Sequence, residues 1–164
     1  MDFGWWGERD LWGAVSYLES RADVSNGRIA ILGESMGGEE AIGAMGSDSR
    51  VRAVVAEGVT VRTFADNARL GSGPSSAISR FQSWITYTTA GILSRAPQPP
   101  TVRTSLRQAY PRPVLIIAGR DEITAGHYFK SGSPTNVQLA EMQDAAHTVS
   151  EPTQPNGRTQ SSSS

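Results

Sequence analysis

The sequence has no cysteine, which excludes disulfides, thiolate metal sites and a cysteine nucleophile. It says little about compartment, since cytosolic and secreted proteins can both lack the residue. Lysine is nearly missing as well: Lys130 is the only one, and arginine carries the remaining basic charge. Acidic and basic side chains almost cancel, at a formal net charge of −1. That balance gives no electrostatic ground for nucleic acid or an anionic membrane surface as a partner. No apolar run approaches the roughly 20 residues that span a bilayer. The opening residues Met1-Asp2-Phe3-Gly4-Trp5-Trp6 lack the basic and apolar regions of a secretory signal, so the cytoplasm is the default expectation. Glu39, Glu40 and Asp48 have no histidine or cysteine beside them; they read as a solvated helix face, and neither a metal nor a cofactor is expected. What remains is 164 residues, 38% hydrophobic and 19% charged, the balance of one ordinary soluble globular domain. The expected partner is a small-molecule or peptide substrate.

Leu11, Val15 and Leu18 recur at i, i+4 and i+7, which predicts an amphipathic helix from Glu8 to about Arg21. The apolar run Arg28 to Gly33 reads as a strand buried on both faces, and Gly37 to about Gly46 as a helix with Ala41, Ile42, Ala44 and Met45 turned inward. Its internal glycines weaken that helix. Further strands are expected at 51–57, 113–119 and 137–142. The stretch 59–108, rich in Gly, Ser, Arg and Pro, reads as an irregular cap inserted over the sheet, with helical spacing only around Ile78, Phe81, Trp84 and Ile85. Strands separated by helices predict a doubly wound, mainly parallel α/β sheet. The tail 150–164 has nothing apolar to bury and is expected to be disordered.

Gly33-Glu34-Ser35-Met36-Gly37 lies between an apolar strand and a helical pattern, the context in which G-x-S-x-G forms a nucleophile elbow. The turn is tight enough that Cβ atoms at Gly33 and Gly37 are expected to collide with neighbouring chain, with Ser35 held in strained geometry. At a helix N-terminus, Ser35 would face orphan N–H groups suited to a developing oxyanion, with the Met36 N–H as the first donor. A serine hydroxyl needs a base, and the base an orienting acid. Asp121, after the strand ending at Gly119, and His147 in the loop after the next strand supply both in Ser…Asp…His order. Glu122, adjacent, and Glu57, at the end of the strand after the elbow, are alternative acids. His127 sits in a predicted helix and reads as a surface or packing residue. Trp5, Trp6 and Trp12 read as packing residues; Trp84 and Tyr87 suit either an acyl pocket or a lid.

The chain resembles the α/β-hydrolase superfamily, and more narrowly bacterial dienelactone hydrolases and Xaa-Pro dipeptidyl-peptidase-like acyl hydrolases. Three segments carry the likeness: Trp6 to Asp10 through Arg28-Ile29 to Gly33-Glu34-Ser35-Met36-Gly37-Gly38, then Pro113 to Asp121, then Asp144 to His147. The resemblance implies a nucleophile at Ser35, an acid at Asp121 and a base at His147. It further implies metal-free hydrolysis of esters, amides or related acyl bonds through an acyl-enzyme. Residues 1–149 then correspond to the C-terminal portion of such a domain. The family's earlier strands, and the loop that gives a second oxyanion N–H, have no counterpart in the sequence. Two further expectations follow: the elbow strand is an open sheet edge, and this polypeptide is a clipped enzyme, a non-catalytic remnant, or a half that needs an N-terminal partner segment.

Overall fold

The computed structural model describes residues 5–25, 27–70, 75–95 and 97–145. The elements run α1 (Gly7–Glu19), β1 (Ile29–Glu34), α2 (Met36–Ser47), β2 (Val51–Glu57), α3 (Phe64–Leu70), α4 (Ser75–Ser94), α5 (Val102–Gln108), β3 (Val114–Gly119), α6 (Ile123–Ser131) and β4 (Val137–Met142). The four strands form one sheet in the order β1-β2-β3-β4, parallel at every step. Parallel neighbours need crossovers, which α2 supplies between β1 and β2, α3 to α5 between β2 and β3, and α6 between β3 and β4.

The core lies where α2, α5 and α6 meet the sheet. Ile42 and Met45 of α2, Leu106 of α5, Ile116 of β3 and Phe129 of α6 are fully buried there, each contributing about 1.5–3 kcal/mol relative to exposure. The inward face expected for α2 is as observed, with Ala41, Ile42, Ala44 and Met45 all buried. Its glycines are weak helix formers, yet two in its C-terminal half mark close approaches. A Cβ on Gly46 would stand 3.0 Å from the Cα of Ser105 in α5, and one on Gly43 would strike the Arg62 guanidinium and the Glu8 carboxylate. Arg62 and Glu8 form a buried ion pair, and Ser47 donates to the other Glu8 oxygen at 3.0 Å. This cluster fastens α1, α2 and the loop after β2 together.

Two expectations need correcting. The strands are not buried on both faces: buried residues alternate with more exposed ones along β1 and β2, and Leu32 of β1 is 78% exposed. Among the described residues only one sheet face is covered by helices, and β1 pairs with β2 alone. The stretch 59–108, expected to be an irregular cap, is largely helical among the described residues. The 20-residue α4 dominates it, and α5 belongs to the core through Val102 and Leu106. The helical spacing expected around Ile78, Phe81, Trp84 and Ile85 falls within α4; the rest of the helix is largely Ser, Thr and Gly, weak helix formers, and packing on α3 and on Trp5 supports it. The tail expected to be disordered lies outside the described residues.

Candidate active site

Ser35 occupies the one-residue junction between β1 and α2. Its backbone sits at φ 54°, ψ −125°, a conformation L-residues rarely adopt and one that costs on the order of 1–3 kcal/mol. Neighbouring chain holds it there: Ser35 N donates to the Glu57 carbonyl at 2.8 Å, and the Ser35 carbonyl accepts from Gly38 N at 3.0 Å and Glu39 N at 3.3 Å. The serine side chain makes no capping bond to α2, unlike most serines that open a helix.

The glycines divide differently from expectation. A Cβ on Gly33 would come within 2.5 Å of the carbonyl carbon of Gly37, so this position tolerates only glycine. Gly37 itself has nothing within 4 Å of where a Cβ would stand. The second tight residue is Gly38, whose Cβ would lie 3.1 Å from the Gly33 carbonyl oxygen and 3.3 Å from that of Glu57. The residue after the pentapeptide, not its last glycine, is the one pressed against β1 and β2.

At the carboxyl ends of the strands lies a narrow cleft lined by Glu34, Glu57, Gly58, Gly119, Glu122 and Ala145, among others, with about 10 Å³ of free space, room for about one water. Asp121 and Glu122 diverge here. The Asp121 side chain is exposed, whereas Glu122 is 2% exposed and turned back over the end of β3, where a Cβ on Gly119 would be 2.7 Å from its Oε2. The same point on Gly119 is 2.9 Å from the carbonyl oxygen of Ala145, and Arg120 N donates to that carbonyl at 2.8 Å. The loop carrying the two candidate acids and the segment leading into His147 are therefore tied together by backbone. His147 itself lies outside the described residues. Glu57 ends β2 with its side chain exposed. His127 is on α6, exposed and 2.9 Å from Glu141, a surface pair.

Glu39, expected as part of a solvated helix face, is instead buried beneath the loop after β2. It lies buried one turn into α2, where its Oε1 accepts from Thr60 N at 3.1 Å, Val61 N at 2.9 Å and the Thr60 hydroxyl at 3.3 Å. Burial pushes its carboxyl up to about 7, against the pull of those donors and with help from nearby Asp66. Its neighbour Glu40 packs on Gly7 at the start of α1. Together the two carboxylates fix the loop after β2 and the N-terminus of α1 around the helix that carries Ser35. Nothing in the local sequence separates them from surface acids; the loop that buries Glu39 arrives from about twenty residues downstream.

Trp84 and Tyr87 of α4 join Trp5, Phe64 and Ile92 around an open groove of about 360 Å³. Burial raises the Tyr87 phenol to about 12, with the negative charges of Glu39 and Asp66 adding to the shift. The other tryptophans pack as expected: Trp6 donates to the Ser94 carbonyl at 3.2 Å, and Trp12 to the Ser47 hydroxyl at 3.2 Å. Among the described residues no group of three or more potential ligands could hold a metal. Nor is any described helix long and apolar enough to cross a membrane.

No protein-family model matches this chain, and no curated protein is significantly similar to it in sequence. Solved structures do match in fold. A 2,6-dihydroxy-pseudo-oxynicotine hydrolase superposes with a TM-score of 0.58 at 21% identity, over 85% of this chain and 40% of that one. The esterase domain of a Rhodothermus marinus protein gives 0.56 at 15%, over 85% and 60%. The α/β hydrolase GrgF from Penicillium sp. sh18 gives 0.53 at 15%, over 85% and 63%. The chain thus spans about 40–63% of the length of these structures. With a parallel sheet, a strained serine at the strand-to-helix junction and these likenesses, the chain has the fold of the α/β hydrolases, of which it supplies a part.

Proposed function

We propose that this chain carries the catalytic residues of a serine hydrolase acting on ester or related acyl bonds. The observation that carries the reading is the backbone of Ser35, held in an unfavourable conformation at the junction of β1 and α2. Strain of this kind persists only where surrounding structure enforces it, and it gathers at functional sites. Ser35 attacks the acyl carbon while His147 takes the hydroxyl proton. The N–H of Met36 in the first turn of α2 stabilises the oxyanion, whose collapse breaks the bond to the leaving alcohol as that group takes the proton from His147; His147 then deprotonates water, which attacks the acyl-enzyme, releasing the acid and returning the proton to Ser35. The groove between Trp5, Phe64, Trp84 and Tyr87 suits an apolar or aromatic substrate group.

For the group that orients His147, burial and direction support Glu122 over Asp121. A buried carboxylate beside the segment leading to the histidine can hold an imidazolium in low dielectric, whereas an exposed one is screened by water. The test is turnover of a p-nitrophenyl ester by Glu122→Gln and Asp121→Asn. We expect the first to lose on the order of 10²–10⁴-fold, the scale of a positioned acid–base contribution, and the second to stay within about threefold of the parent. The reverse order would return the role to Asp121.

A second reading, that the polypeptide is a non-catalytic half requiring a further segment, is favoured by two observations. Leu32 is exposed on an uncovered sheet face, and the strand-end cleft has space for little more than one water. Absence of Ser35-dependent turnover in a folded chain, with recovery on adding strands that pair with β1, would establish it.

A further inference from the structure

α4 packs through one face and leaves the opposite one bare. Ser83 receives the side-chain amide of Asn67, Ala90 is buried, Gly91 lies against the Trp5 ring, and the Ser94 carbonyl accepts from Trp6. Ser83, Tyr87, Ala90, Gly91 and Ser94 therefore line the inward side. On the far side stand Ile78, Phe81, Ile85, Thr88 and Ile92, at i, i+3, i+7, i+10 and i+14, the a/d spacing of a helix seam. Ile78 is 67%, Phe81 61%, Ile85 44% and Ile92 72% exposed. With flanking Leu93, also exposed, this stripe leaves on the order of 600 Å² of apolar surface in water, measured as solvent-accessible area. That is at the top of the roughly 300–600 Å² of the largest patch on a typical monomer, a class of patch that is often functional, and it supplies most of the roughly 800 Å² each partner contributes to a standard interface.

We propose that this stripe is a self-association surface, on which α4 of a second copy of this chain packs antiparallel with Ile85 at the two-fold axis. The pattern is symmetric about Ile85: Ile78 of one copy meets Ile92 of the other, and Phe81 falls beside the small Thr88 and Thr89. Parallel pairing would instead set Phe81 on Phe81 and Thr88 on Thr88, overfilling one layer and leaving a void in the other. The charge pattern points to the same occupant. Arg80 is the only charged residue in α4, and it lies off the seam, whereas helices that dock on anionic bilayers carry several basic residues on the flanking face. A neutral apolar seam is matched by another neutral apolar seam, and a two-fold pair uses the same patch twice.

The absence of native cysteine makes the test direct. Sedimentation velocity of the 164-residue chain between about 5 and 200 μM should show a dimer, and Ile92→Glu should raise the dissociation constant about tenfold or more with helix content unchanged. Ile85→Cys should cross-link to its own copy under mild oxidation, while Ile78→Cys should not, because its counterpart lies about 20 Å away. Ile78→Cys with Ile92→Cys in one chain should cross-link again. A chain that stays monomeric at 200 μM, or an Ile78→Cys variant that cross-links as readily as Ile85→Cys, overturns the proposal. Binding of a monomeric chain to phosphatidylcholine–phosphatidylglycerol vesicles would overturn it in favour of a membrane surface.

Discussion

Glu39→Gln should make this protein more stable at alkaline pH and leave it nearly unchanged in mild acid. Glu39 is buried with its carboxyl pushed up to about 7 from an ordinary 4.5, chiefly by loss of water around the charge. A carboxyl whose pKa is higher folded than unfolded binds its proton more tightly in the native state. Its contribution is fully present below about pH 4.5 and is lost as pH rises through about 7. At about 1.4 kcal/mol per unit, the interval corresponds to about 3 kcal/mol surrendered by pH 8. Glutamine keeps an oxygen to accept from Thr60 and Val61 and carries no charge at any pH. The assay is urea unfolding of parent and variant from pH 5 to pH 8.5. The constant cost of the amide cancels when the stability difference at one pH is subtracted from that at another. The variant should gain about 2–3 kcal/mol on the parent across that range, or about 4–12 °C in Tm. A difference independent of pH would refute the reasoning and place the Glu39 charge in contact with solvent or with a cation.

Three further outcomes follow from the elbow and the buried ion pair. Gly33→Ala should cost several kcal/mol or prevent folding, because its Cβ meets backbone, while Gly37→Ala should be neutral or stabilising by up to about 1 kcal/mol, since the site is open and alanine favours helix; thermal unfolding of the pair checks this. Ser35→Gly should raise stability by about 1–2 kcal/mol by relieving the strained φ, and should eliminate any acyl-transfer activity at the same time. Glu8→Gln should cost about 3–5 kcal/mol by leaving the Arg62 guanidinium buried without its partner. The double variant Glu8→Gln/Arg62→Met should cost less than the sum of its two single changes, as a double-mutant cycle in urea would show.

Most of the sheet was legible in the sequence because β1, β2 and β3 are short, mainly apolar runs and β4 alternates, and each strand lies within a residue of its expected span. What could not be read was anything decided by chain arriving from elsewhere. Whether the strands are covered on one face or two depends on layers a local pattern does not specify. The length of α4 rests on contacts with Trp5 and α3. Glu39 looks like any acid in a first helical turn until the 58–63 loop folds over it. At the elbow, the motif located the strained serine, but the pressure on Gly38 in place of Gly37 follows from the angle at which α2 leaves β1. Asp121 and Glu122 are adjacent in sequence, and only the turn after Gly119 decides which carboxylate goes inward.

The central claim is that Ser35 is an activated nucleophile, and labelling of the intact 164-residue chain with a fluorophosphonate probe tests it most directly. Such reagents phosphonylate, with loss of fluoride, serines whose proton a neighbouring base can take. The account predicts stoichiometric labelling that vanishes in Ser35→Ala and after heat denaturation. A folded chain, cooperative in urea, that takes up no probe would contradict it.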